Sequence, residues 1–284
     1  MAVTIVVDST ADLLEQVKAR VKIVPLTIRF GEDEYIPGVD MDPHRFYELL
    51  VESSALPTTS QAAPYAFEKV FREALEAGDD VVCLTCASKL SGTYQSAVIA
   101  AEEFPGKVWV VDSGTIAIGL GILTEYALSL VDRGFGPEEI VLQLLRKRED
   151  VRLLALVDTL EYLKKGGRIS PAVAFAGGVL NIKPVITIAD GEIAVLGKAR
   201  GSRQANNLLV QEIQKAGGVD FRKPLLLGYT GLSDALLRKY IADSAQLWEG
   251  NCESLPVSIV GSVVGTHVGP GAVAVAFFAE EKRL

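Results

Sequence analysis

The side chains able to do chemistry are concentrated in a few short stretches. In "CLTCASKLSGTYQSA" (residues 83–97), Ser88, Ser91, Gly92 and Thr93 crowd the junction between the apolar run "VVCLTC" and a helix-like segment. Comparable hydroxyl groups stand at Asp8-Ser9-Thr10, at Asp112-Ser113 and in "TTSQ" (Thr58 to Gln61). Of the two histidines, His44 falls in the first turn of a helix capped by Asp42. His267 lies in "VVGTHVGPGAVAV" and is expected in a glycine-rich turn between two apolar strands.

Three kinds of chemistry can be weighed for these residues. Ser91 could act as a nucleophile with His267 as its base and Asp8 or Asp112 as orienting acid. "LSGTY" is not, however, the Gly-x-Ser-x-Gly elbow of hydrolases. Asp8 at a strand end invites comparison with a phosphoryl-accepting aspartate, but it lacks an acidic partner two residues on, and helix capping accounts better for both Asp8 and Asp112. A hydroxyl-rich strand end leading into a helix has a simpler use, because backbone amides and Ser or Thr hydroxyls converge where the helix dipole favours an anion. That arrangement suits a carboxylate that is held and not attacked.

Other classes fail on their motifs. "GLG" at 119–121 has no third glycine in register for a dinucleotide site, and "GEIAVLGKAR" has five residues between its glycines where a P-loop needs four. Two histidines and no clustered acidic motif leave no expected metal site. Cys83 and Cys86 form a C-x-x-C, but on one strand they would face opposite ways and read as buried thiols. In "KKGGR" (Lys164 to Arg168) the lysines complement a helix C-terminus, with Gly as its left-handed cap.

The surrounding elements must position these groups. Strands are expected at the N-terminus ending at Asp8, over "VKIVPLTIRF", at 80–86 and over "KVWVVDS", alternating with helices, the last of them at about 116–133 and 137–148. This alternation predicts a parallel sheet covered on both faces, whose ligands gather at the carboxyl ends of the strands. "ALPTTSQAAP" reads as a polar loop before a helix. Beyond Val151, "IKPVITIADGEIAVLGKAR" reads as a hairpin turning at Asp190-Gly191, and antiparallel pairing enters. The expectation is α/β with two domains. Residues 1–150 form a three-layer α/β/α domain on a parallel sheet, and residues 151–284 a mixed-sheet α/β domain.

A chain of 284 residues with 49% hydrophobic and 23% charged residues has material for such cores. The formal charge of −8, from 28 Lys plus Arg against 36 Asp plus Glu, disfavours a nucleic-acid partner. Ser254 to Ala279 is uncharged but interrupted by Pro256, Pro270 and glycines, so two strands joined by a turn are expected there and not a membrane span. No export signal is read at the N-terminus, and three cysteines are no disulfide framework, so the expected location is the cytoplasm.

Taken in order, "VVDSTADL", "TSQ", "LSGTYQSA", "VVDS", "DTLEYLKKGGRIS", "IKP", "KAR" and "GTHVGPGA" span nearly the whole chain and resemble the DegV family of bacterial fatty-acid-binding proteins. The resemblance implies one long-chain fatty acid between two α/β domains, its carboxylate held by Thr59 and Ser91 with the Gly92 and Thr93 amides, and His267 closing the head-group site. It also implies a partner, the ATP-binding subunit of a fatty-acid kinase that phosphorylates the carboxylate to an acyl phosphate, meeting an exposed Arg200. The implied role is lipid binding without catalysis or cofactor. Ala87 and Lys89 depart from the small or hydroxyl residues common at those positions. The physics agrees with a lipid: burying about 0.8 kcal/mol per methylene lets a tail supply most of the affinity, while neutral donors hold the acid.

Overall fold

The computed structural model describes residues 2–174 and 181–280. The chain begins as β1 (Val3–Asp8), α1 (Glu15–Lys18), β2 (Lys22–Val24), β3 (Thr27–Phe30), β4 (Asp33–Tyr35), α2 (Pro43–Glu52), β5 (Thr58–Ser60) and α3 (Pro64–Glu76). It continues through β6 (Asp80–Thr85), α4 (Thr93–Ala101), β7 (Val108–Asp112), α5 (Ala117–Asp132) and α6 (Pro137–Lys147). The remainder is β8 (Val151–Leu156), α7 (Glu161–Lys165), α8 (Pro171–Ala174), β9 (Ile182–Ala189), β10 (Glu192–Arg200), α9 (Ser202–Lys215), β11 (Leu225–Tyr229), α10 (Ala235–Asp243), α11 (Ala245–Trp248), β12 (Val257–Ile259), α12 (Ser262–Val268) and β13 (Val273–Phe278).

The first sheet is parallel, in the order β2-β1-β6-β7. Its central strands are buried on both faces, so alternate residues enter different cores. Val6, Val81 and Cys83 pack with Phe67, Phe71 and Ala97 of α3 and α4, whereas Ile5, Val7, Val82 and Leu84 pack toward α5 and α6. Cys83 and Cys86 accordingly lie in different cores, both as free thiols.

The second large sheet is mixed, in the order β10-β9-β8-β13-β11-β12, with only β11 and β12 parallel. Its β9–β10 hairpin turns where expected. Asp190 at φ 50° and Gly191 at φ 77° give the two left-handed positions that match the twist of paired strands.

Helix α5 is shared between the sheets. Most of its residues are buried, because it packs against β1 and β6 on one side and β8, β11 and β13 on the other. A Cβ at Gly121 would overlap the Asp12 backbone carbonyl, so the small residue permits this close approach.

Four expectations need correction. "VKIVPLTIRF" is two strands, because Pro25 cannot donate to a ladder: β2 stays in the parallel sheet and β3 enters a small antiparallel sheet, β4-β3-β5. The "TTSQ" loop is largely strand β5, with Thr59 opposite Ile28. His267 lies in helix α12 and not in a turn, so the final two strands are joined by a helix. Asp8 and Asp112 cap no helix. Asp8 accepts bonds from the Thr10 amide, the Thr10 hydroxyl and the Cys86 amide at 2.9, 2.6 and 2.7 Å, lacing β1 to β6. Asp112 accepts from the Gly114 and Ser88 amides at 2.9 and 3.3 Å.

Candidate functional site

Thr59 reaches the site from β5, where pairing with β3 fixes its strand register. Opposite it stands α12, which packs against α7, α2, β3 and β5. Gly265 makes that packing possible, since a Cβ there would come within 2.6 Å of the Tyr47 hydroxyl. The result is a hydrogen bond of 2.9 Å between Thr59 Oγ1 and His267 Nε2.

Burial, aided by the positive charge of Arg168, pushes the His267 pKa down to about 4, so the ring is neutral near pH 7. His267 Nδ1 is buried without a partner among the described residues. An orphaned N–H is costlier than an orphaned lone pair, which assigns the proton to Nε2. Nε2 then donates to Thr59 Oγ1, and the Thr59 hydroxyl hydrogen is free to donate to something else.

Ser91 and Thr93 are arranged likewise at the start of α4. Their hydroxyl oxygens are 2.9 Å apart, and the Thr93 amide reaches Ser91 Oγ at 3.3 Å. With Thr93 donating to Ser91, the Ser91 hydroxyl hydrogen is left for a ligand. Gly92 caps α4 and lies against Gln61, where any Cβ would overlap the Gln61 amide oxygen. Gln61 is itself held by a 3.0 Å bond from its Nε2 to Ser96.

Thr59, Ser91, Gly92 and His267 line one cavity of about 200 Å³, together with Thr10, Cys86 and Arg168. Thr93 stands behind Ser91, and Arg200 lies outside this lining, exposed at the end of β10. The cavity continues inward into an apolar slot walled by β8, β9, β11, β13 and α12, with Ile116, Ile193, Val264 and Val268 common to both. Outward it opens into a vestibule of about 340 Å³ bordered by Leu56, Tyr162 and Lys165, with Thr59, Arg168 and His267 at the boundary. Mouth, polar neck and apolar slot thus follow one another.

The rim groups do not all converge. Ser88, Lys89 and Asp112 face a separate polar groove of about 680 Å³, so the stretch from Ser88 to Thr93 is divided between two sides. A Ser–His–acid arrangement is not assembled: His267 bonds Thr59 and not Ser91, while Asp8 and Asp112 are engaged with backbone amides. Burial raises the Cys86 thiol well above its ordinary pKa, with the neighbouring Asp8 carboxyl adding to the shift, so no thiolate is available. Among the described residues no cluster of three or more metal-binding side chains occurs.

Three lining groups carry no expected role in the head-group site. Arg168 reads in the sequence as part of a helix end, yet it bridges the two sides of the neck, donating to the carbonyls of Leu90 at 3.3 Å and Gly166 at 2.6 Å. Thr10 is legible as a hydroxyl on the strand-end rim and Cys86 as a buried thiol of the C-x-x-C, but not their meeting at the neck. Asp8 holds Thr10 through local bonds two positions away, but its bond to the Cys86 amide spans 78 positions and carries no local pattern.

Comparison with known proteins places this architecture. A family model described as "Uncharacterised protein, DegV family" matches residues 2–280. The chain belongs to the DegV family. It is 36% identical over 284 residues to a DegV domain-containing protein of Caldanaerobacter subterraneus, covering 99% of each chain. Its fold is that of a DegV family protein from Thermus thermophilus described for fatty acid binding, with a TM-score of 0.88, 35% identity, and coverage of 99% of this chain and 100% of that one. A fatty acid (stearic acid)-binding protein from Eubacterium ventriosum matches with a TM-score of 0.86 and 28% identity over 97% of each chain. None of the described helices is long and apolar enough to cross a membrane.

Proposed function

We propose that this DegV-family protein binds a long-chain fatty acid between the halves formed by residues 1–150 and 151–284, and presents the carboxylate to the ATP-binding subunit of a fatty-acid kinase in the cytoplasm. The observation that carries the reading is the junction of a polar neck with an apolar slot: the hydroxyls of Thr59 and Ser91 stand where an apolar passage begins. A carboxylate fits this neck, with the Gly92 amide and the neutral His267 beside it and Thr93 supporting Ser91 from behind. Each hydrogen bond to the charged group contributes about 1.5–3 kcal/mol, and the tail adds about 0.8 kcal/mol per buried methylene.

Presentation to a kinase is supported by the vestibule that adjoins the neck and shares Thr59, Arg168 and His267 with it, a route by which the acid end would be reached. Arg200, exposed at the end of an edge strand, is the proposed docking residue. Native mass spectrometry of the protein purified from a bacterial host tests the binding. A mass increment equal to a C14–C18 acid is expected, and a mass matching the bare chain after gentle purification, with no uptake of added palmitate, overturns it. Incubation of the loaded protein with ATP and a fatty-acid kinase ATP-binding subunit, read as acyl phosphate formed, tests the presentation.

A further inference from the structure

The two neighbouring glycines of "KKGGR" do different work. Helix α7 ends in a paired closing motif: the Arg168 amide donates to Leu163 O at 2.9 Å and the Gly167 amide to Lys164 O at 3.0 Å. In that motif Gly167, at φ 72°, occupies the left-handed position, where a glycine avoids strain. Open space surrounds it. Gly166 is the reverse case. Its φ of −73° and ψ of −7° are right-handed helical, so its backbone would accept any residue. A Cβ at 166 would instead fall inside contact distance of His267 Nδ1 and 3.1 Å from Cε1. That nitrogen is the partnerless face of the ring whose opposite nitrogen holds Thr59.

We infer that Gly166 is a positioning residue: its missing side chain is the seat against which the His267 ring lies, and so sets the direction in which the Thr59 hydroxyl donates. The inference rests on the head-group reading above. A ring displaced from this seat must swing about its own Cα on α12, which withdraws Nε2 from Thr59. Thr59 would then be free to turn its hydroxyl hydrogen elsewhere, and a carboxylate would lose an aimed donor.

Gly166→Ala and Gly167→Ala separate the two roles. Gly166→Ala is expected to fold with a Tm near or below that of the parent, because the helical gain from alanine is offset by the displaced ring. Its His267 titration, followed by NMR on lipid-free protein against exposed His44 as internal comparison, should move up from about 4 toward the ordinary 6.5. Palmitate retention should fall about tenfold, the loss of one charged hydrogen bond. Gly167→Ala should lower Tm by about 2–4 °C through backbone strain while leaving the His267 titration in place. If Gly166→Ala does not fold, the double variant Gly166→Ala with His267→Ala should restore folding, since no ring remains to collide. An unshifted His267 titration in folded Gly166→Ala, or no rescue by the double variant, overturns the inference. Because the titration is read without lipid, a parent protein that takes up no fatty acid refutes the proposed function and leaves this test standing.

Discussion

Thr59 Oγ1 and His267 Nε2 meet at 2.9 Å across 208 positions of sequence, one carried by a three-residue strand and the other by a seven-residue helix. Each side chain alone is an ordinary polar group. Together, with the buried Nδ1 of the ring unpartnered among the described residues, they line the neck as a coupled pair in which Nε2 donates and the Thr59 hydroxyl hydrogen is left for a ligand.

Removal of either hydroxyl should loosen the lipid without harming the fold. Thr59→Val and Ser91→Ala are each expected to weaken fatty-acid binding by roughly ten- to a hundredfold, the span given by about 1.5–3 kcal/mol per charged hydrogen bond. Titration of delipidated protein with palmitate measures it. Unchanged affinity in both variants would remove these residues from the head-group site.

The slot should set chain length. Ala155, Gly228 and Ala274 line its apolar part, so Ala274→Leu places new methyl groups where a tail would run. The acids extracted from this variant should be shorter than those from the parent, at a stability cost of about 1–3 kcal/mol for overpacking. An identical acyl profile by mass spectrometry would place the tail elsewhere.

Opposed pH dependences are built into the protein. The His267 pKa is depressed to about 4 from 6.5, so the unfolded chain takes up a proton the folded one refuses, and stability falls as pH drops between those values. The Asp12 carboxyl is raised by burial to about 7 from 3.8, despite a bond from the Gly261 amide, so its contribution has the opposite sign: full below 3.8 and lost as pH rises to about 7. Asp12→Asn should therefore gain about 2–4 kcal/mol at pH 8 and nothing at pH 4. Urea unfolding at both pH values checks the difference, and equal effects at the two would rule out a buried titrating Asp12.

Helix α5 should resist the usual benefit of alanine. Gly121→Ala normally stabilises a helix interior, but here the methyl group meets the Asp12 carbonyl, and a loss of about 1–3 kcal/mol is expected. Thermal unfolding decides; a rise in Tm would mean that the Asp12 loop yields at little cost.

Docking should be separable from binding. Arg200→Ala is expected to leave the palmitate affinity unchanged while slowing acyl phosphate formation about tenfold or more, as removal of a charged contact at an interface does. Equal rates would locate the kinase face on another surface.

Much of this arrangement was legible in the sequence because its causes are local. Alternating strands and helices, the Asp190-Gly191 turn and the hydroxyl-rich end of β6 each write themselves into adjacent residues. The lone proline at position 25 divides two apolar runs that belong to different sheets, a decision made by the absence of one N–H. Helix α12 was hidden because "SVVGTHV" is short, mixes small, β-branched and polar residues, and carries no clear amphipathic period. Strand β5 was hidden because three hydroxyl-rich residues look like loop until β3 lies beside them. Arg168 was legible as a charge, but its carbonyl partners are brought to it by tertiary packing alone.

The shared position of α5 makes the molecule indivisible. Severing the chain between α6 and β8 would give one fragment a largely greasy helix with a bare flank and the other a sheet stripped of its cover. Neither piece would stay dispersed in water, so heat or urea should melt both sheets in a single cooperative step.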